Sequence, residues 1–218
     1  MSNPDSFIEE VTEEVRRDRL FRLFRKYGWI GIVAVLAVVG GSAWNEWSKS
    51  RAEARAEAFG DAIADALDQG TPEERSAALT AIPADGGQSA LIGLVVSSDV
   101  QGNREENLAA LDKVAADTAL SPAYRDLAVL RRVLLAGTDS ALGDRRSALQ
   151  GIAVAGRPYR TLAEEQLAYL LVEEGKTDEA IAAMITLLQD QEASGGLRAR
   201  LTRMVKVLGG TLPDQAAG

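Results

Sequence analysis

Apolar residues run without interruption at one place in this chain and recur at helical spacing along most of the rest. From Tyr27 to Asn45 the sequence reads YGWIGIVAVLAVVGGSAWN, 19 residues without a charge. As a helix rising 1.5 Å per residue, that stretch spans roughly 28 Å, close to a ~30 Å hydrocarbon core. Seven Ile, Val or Leu residues lie between Ile30 and Val39. Each favours insertion by roughly 0.3–0.6 kcal/mol. Tyr27 and Trp29 stand at one end and Trp44 and Trp47 at the other, where amphipathic rings settle at headgroup level. The pattern predicts a transmembrane helix over residues 27–47, with Arg25, Lys26, Tyr27, Trp29, Trp44 and Trp47 at its two interfaces.

Two other readings fit part of this stretch. Gly41-Ser42-Ala43 resembles the small-residue site at which a signal peptide is cut. A signal peptide here would carry 26 residues before its apolar run, among them Glu9, Glu10, Glu13 and Glu14. The run also exceeds the usual 7–15 residues. A buried core helix would need enclosing elements, and no second segment is apolar all round.

The flanks predict orientation. Arg16, Arg17, Arg19, Arg22, Arg25 and Lys26 precede the apolar stretch, opposed only by Asp18. Lys49, Arg51 and Arg55 follow it, diluted by Glu46, Glu53 and Glu57. The richer basic flank stays in the cytoplasm. That places the remainder outside, which in a bacterium is the periplasm. Residues 1–26 form a lead-in helix with Phe7, Val11 and Val15 at i+4 spacing, and Leu20 with Phe24 likewise. Its acidic residues come first and its basic residues last, the order a helix dipole favours. Ala37 and Gly41 form a small-xxx-small pair of the kind found at helix-dimer faces, and common elsewhere.

Beyond the membrane, residues 48–86 are expected as a helical connector and 87–218 as a repeat domain. Ala52, Ala56, Phe59, Ile63 and Leu67 make an apolar stripe. Thr71-Pro72-Glu73-Glu74 signals a helix start. Pro83 and Gly86-Gly87 mark a loop over 82–88. An apolar segment ending in Gly, followed by an amphipathic one, then recurs at Gly102, Gly137 and Gly175, spaced 35 and 38 residues apart. That is near the 34-residue tetratricopeptide (TPR) period. In Thr161–Asp190, Ala168, Gly175, Ala180 and Met184 fall at repeat positions 8, 15, 20 and 24. Arg104–Asp117 and Ser121–Thr138 read as further, degenerate repeat helices, and Gly195–Leu208 as a capping helix. Leu91–Val100, with its Val pair, also suits a strand. The expected fold class is all-α: one transmembrane helix, then a TPR-like solenoid of antiparallel helix pairs.

Composition changes the functional picture more than the fold. There is no cysteine and no histidine among the 218 residues. That excludes disulfides, thiolate nucleophiles, zinc knuckles and every His-dependent triad. A net charge of −8 and a pI near 4.8 argue against nucleic-acid binding. The 36 Ala and 26 Leu, beside 5% aromatic residues, favour close helix packing. Residues 48–218 hold 18 basic and 25 acidic residues, a net of −7.

The lead-in FIEEVTEEVRRDRLFRLFRKYG (Phe7–Gly28), the single anchor, SPAYRDLAVLRR and EEGKTDEAI together resemble a known family. It is the YfgM-like ancillary subunit of the bacterial SecYEG translocon, in its alphaproteobacterial form. The resemblance implies an inner-membrane protein with a periplasmic TPR-like domain. It further implies partners in the SecYEG translocon and in periplasmic folding factors, among them a membrane-anchored prolyl-isomerase-like chaperone. No catalytic residue, cofactor or small-molecule substrate comes with it.

Residues that suggest chemistry have plainer readings. Gly175-Lys176-Thr177 looks like the end of a phosphate loop, but Leu170 stands where that motif needs Gly. Glu164-Glu165 and Glu173-Glu174 are pairs suited to acid–base work or to a solvated helix face. TPR logic puts a groove on the first helix of each pair, with Glu165, Tyr169 and Glu173 exposed on its concave side. An aromatic ring between carboxylates suits basic or apolar extended segments. The competing reading packs Tyr169 between repeats and leaves both glutamates solvated. The sequence therefore points to a non-catalytic adaptor at the translocon or to an accessory subunit of a different inner-membrane complex.

Overall fold

The structure, a computed structural model, describes the backbone of residues 4–212 and the side chains from Arg25 to Leu212, Tyr27, Gly28 and Ile32 excepted. The side chains of Phe7, Val11, Val15, Leu20 and Phe24, and of the basic residues from Arg16 to Arg22, lie outside the described ones. Every regular element among the described residues is helical. The chain divides into two compact units, Met1–Gly60 and Asp61–Gly218.

The first helix, α1 (Pro4–Leu67), is continuous for 64 residues. Lead-in, apolar stretch and the start of the expected connector are thus one element. No Pro interrupts it after Pro4, and its Ala-rich second half is a strong helix former. The second unit begins at Asp61, inside the span expected as connector, and buries Ala66 and Leu79 in its own packing.

Helix α2 (Pro72–Ala81) starts where the sequence signals it. The Glu74 amide donates to Thr71 Oγ1 at 3.2 Å, and the Thr71 amide donates to Glu74 Oε2 at 3.0 Å. That reciprocal cap satisfies two otherwise unpaired donors. Helix α3 (Gly86–Val96) takes in most of the segment that also suits a strand. Its Ala90, Ile92, Leu94 and Val96 are all buried. These positions fall on more than one side of the helix, and α3 packs on α2, α4 and α5, while Leu91 stays exposed. A Cβ at Gly93 would lie 2.8 Å from the Val114 side chain, so the absence of one permits this close crossing with α4.

Helix α4 (Arg104–Ala116) is capped by Asn103 Oδ1, which accepts from the amides of Glu105 and Glu106. Helix α5 (Pro122–Ala136) follows, then a 3₁₀ turn at Gly137–Asp139 and α6 (Leu142–Ile152). Helices α7 (Arg160–Glu173) and α8 (Thr177–Leu188) are joined through Gly175 at φ +77°. An L side chain is strained in that left-handed conformation. Helix α9 (Gly195–Val207) is capped by Ser194.

Three apolar clusters lie along this second unit. Ala90, Leu94, Leu111, Val114, Leu120 and Ala128 join α3, α4 and α5. Leu130, Val133, Leu149, Ile152, Ala163 and Leu170 join α5, α6 and α7. Ala168, Met184, Leu187, Leu188, Leu197, Leu201 and Val205 join α7, α8 and α9. Helices α5 and α7 each serve two clusters from two faces. The substantial helix contacts run between sequence neighbours, with α3–α5 as the exception. Ala163, Ala168 and Ala180 are fully or almost fully buried, small side chains that let the helix axes approach.

Candidate functional site

Two sets of residues were expected to carry function, one on α1 and one on α7. On α1, Trp29, Val33, Val35, Leu36, Val38, Val39, Trp44 and Trp47 are all exposed large apolar side chains. Exposed apolar surface of this extent marks a segment that contacts a membrane or another protein. Among the described residues this is the one helix long and apolar enough to cross a membrane. The Trp44 and Trp47 rings lie 5.2 Å apart at 45°. The Arg51 guanidinium sits 4.1 Å from the Trp47 ring centroid, a cation–π contact. Lys49 pairs with Glu53 one turn on, at 3.8 Å. Arg25 and Lys26 are exposed on the other flank, and the Tyr27 side chain lies outside the described residues.

On α7 the expected exposure holds for Glu173 and not for Glu165 or, in full, for Tyr169. Glu165 is only 2% exposed. Its Oε1 accepts from the Tyr169 hydroxyl at 3.0 Å and from Arg200 Nε at 2.8 Å, while Oε2 accepts from a second Arg200 nitrogen at 2.8 Å. Arg200 reaches it from α9, covering the face that the repeat logic left open. Tyr169 is half-buried against the α7–α9 cluster. Burial, together with the neighbouring Glu165 carboxylate, pushes its hydroxyl up to about 12. Glu173 is exposed, yet it accepts a two-pronged pair from Arg145 of α6 at 2.8 and 2.5 Å. That hydrogen bonding holds the Glu173 carboxyl below its ordinary range. Neither glutamate is merely solvated, and the three residues do not form one open platform.

The same logic of arginine tying one helix to another recurs where spacing gave no hint. Arg160 donates to Glu164, Asp190 and Glu192, fastening the start of α7 to the turn after α8. Arg146 pairs with Glu174 at 2.6 Å, and Lys176 reaches the same carboxylate. Asp126, fully buried on α5, pairs with Arg157 from the loop before α7. Burial raises the Asp126 carboxyl above its usual range despite that arginine. Its Oδ2 has no hydrogen-bond partner among the described residues. Only Arg160–Glu164 has a signature visible in sequence, the i,i+4 pair. The other arginine pairs join residues 28 to 35 positions apart, at distances no local pattern encodes.

Chemically, these carboxylates are occupied. A general acid or base must reach a substrate proton, whereas Glu165, Glu173, Glu174 and Asp190 each face a cation. Among the described residues no group of three or more Asp or Glu converges in a way that would hold a metal ion. What the second unit offers is surface and grooves between rigidly paired helices. A search of protein-family models, of curated proteins and of solved structures finds nothing that matches this chain.

Proposed function

We propose that this protein is a single-pass inner-membrane adaptor that binds proteins and performs no covalent chemistry. The observation that carries the reading is the pairing of one exposed apolar helix with a second unit of serially packed helices. Helix α1 would cross the membrane with its basic flank in the cytoplasm and the helical unit in the periplasm. The helix pairs α3–α4, α5–α6 and α7–α8 are read as TPR-like hairpins, with α9 as the cap. Their support is the turn glycine at Gly175, the buried small residues Ala168 and Ala180, and the neighbour-to-neighbour packing. The sequence resemblance to the YfgM-like family supports the finer proposal. In it, the unit meets the SecYEG translocon and periplasmic folding factors and assists newly exported proteins.

Affinity purification of the full chain in mild detergent tests this. Recovery of Sec subunits is the expected result, and recovery of a different inner-membrane complex without them would replace the translocon by that complex. A reporter active only in the periplasm, fused to the C-terminus, should give signal. A silent reporter beside an active cytoplasmic one would reverse the orientation.

A further inference from the structure

A cleft of about 520 Å³ lies within the second unit, between the end of α1 and helices α2, α3 and α4. Its apolar lining comes from Leu67, Leu79, Val95 and Val96. Leu67 is 46% exposed there. The adjoining turn, which carries Asp99 and Gly102, also holds out Val100 with 96% of its surface exposed.

The polar lining is built in two layers. Inside, Arg75 donates to Asp99 through two nitrogens, at 2.8 and 2.5 Å. Buried Asn107 holds the same turn by donating to the Asp99 carbonyl at 2.9 Å. That ion pair neutralises itself and fixes the floor. Glu73 on α2 and Glu106 on α4 also line the cleft, are exposed, and have no ion pair among the described residues. Their surroundings reinforce the sign: residues 61–117 hold 11 acidic and 3 basic residues, a net of −8.

We propose that this cleft binds an extended segment of another protein that presents a Lys or Arg beside an apolar side chain. The cation would meet Glu73 and Glu106, and the apolar neighbour would cover Leu67 and the Val95–Val96 wall. An anionic partner is disfavoured by the same charges. The proposal rests on reading the helical unit as a protein-binding one and names the chemistry of its partner.

The test uses the full chain in nanodiscs of phosphatidylcholine, with empty nanodiscs as the blank. Fluorescein-labelled peptides of alternating Lys-Leu, Ser-Leu and Glu-Leu are titrated by anisotropy. The Lys-Leu peptide should bind tightest, with an affinity that falls as salt rises. Glu73→Gln with Glu106→Gln should weaken it on the order of fivefold, the yield of two exposed ion pairs, and flatten the salt dependence. Leu67→Ser should weaken it while leaving the salt slope unchanged. Asp178→Asn with Glu179→Gln, exposed on α8, makes the same change in net charge and should leave binding intact. Helicity by circular dichroism checks each variant's fold. Equal binding of the three peptides, no binding at all, or equal loss in the α8 variant would overturn the proposal. If the Glu73/Glu106 variant binds the Lys-Leu peptide as tightly as the wild type and recovers the wild-type partners from detergent extracts in undiminished yield, the cleft assignment fails and the adaptor reading stands.

Discussion

The Glu165 carboxylate accepts from two residues on two helices, Tyr169 one turn along α7 and Arg200 on α9. Removing it leaves a half-buried hydroxyl and a guanidinium with no acceptor. Arg200 is partly exposed and regains water, so the loss stays below that of a fully buried pair. Glu165→Ala should cost about 2 kcal/mol, a fall of roughly 4–8 °C in Tm for a unit of this size. The same variant should bring the Tyr169 hydroxyl down from about 12 towards the ordinary phenol value, read as tyrosinate absorbance against pH. An unchanged Tm together with an unchanged titration would mean that the α7–α9 tie is absent in solution. Face logic on α7 did single out Glu165, Tyr169 and Glu173, because residues at i, i+4 and i+8 share one side of a helix. What it could not supply was Arg200, 35 residues later, or Arg145, 28 residues earlier. Those partners turn an apparent platform into a seam.

At the scale of elements, the start of α2 was legible, since Thr71 accepts from an amide only three residues ahead. Asn103 and Ser194 cap α4 and α9 in the same local way without having been singled out. Helix α3 was less legible: it starts at Gly86, inside the stretch expected as a loop. Its Val pair favours a strand locally, and burial among three neighbouring helices overrides that preference. Helix α1 carries the prediction of greatest consequence. Leu36→Lys together with Val38→Lys changes two residues at the centre of the apolar stretch, each by about 3 kcal/mol on an insertion scale. The wild-type chain should stay in the pellet after alkaline carbonate extraction, and the double variant should move to the supernatant. A wild-type chain found in the supernatant would remove the membrane reading. The Trp44–Trp47–Arg51 stack, by contrast, follows from i, i+3 and i+7 spacing and was readable only in its two rings.

Across the whole second unit, four carboxylates are held below their ordinary range by hydrogen bonds from arginines: Asp99 by Arg75, Glu173 by Arg145, Glu174 by Arg146 and Asp190 by Arg160. A group whose folded value is depressed contributes stability above its unfolded value, near pH 4, and loses it as pH falls through the folded value. Asp126 has the opposite sign. Burial raises its folded value, so its contribution is present in acid and fades as pH rises through that value. Four depressed groups against one raised group predict a Tm that falls below about pH 4. A scan of Tm from pH 6 to pH 2.5 checks it, and a flat profile would show that the interhelix arginine pairs add nothing to stability.

The three clusters, each closed by consecutive helices, also bear on how the chain comes to its structure. Contacts between sequence neighbours keep contact order low, which favours fast folding. A polypeptide released from its N-terminal end onward completes the α3–α5 cluster once Ala128 has emerged, before any of α7 is free. The next cluster closes at Leu170 and the last at Val205. Assembly can therefore proceed vectorially, and at each stage the uncovered apolar surface is confined to the newest helix, already seated on its opposite face.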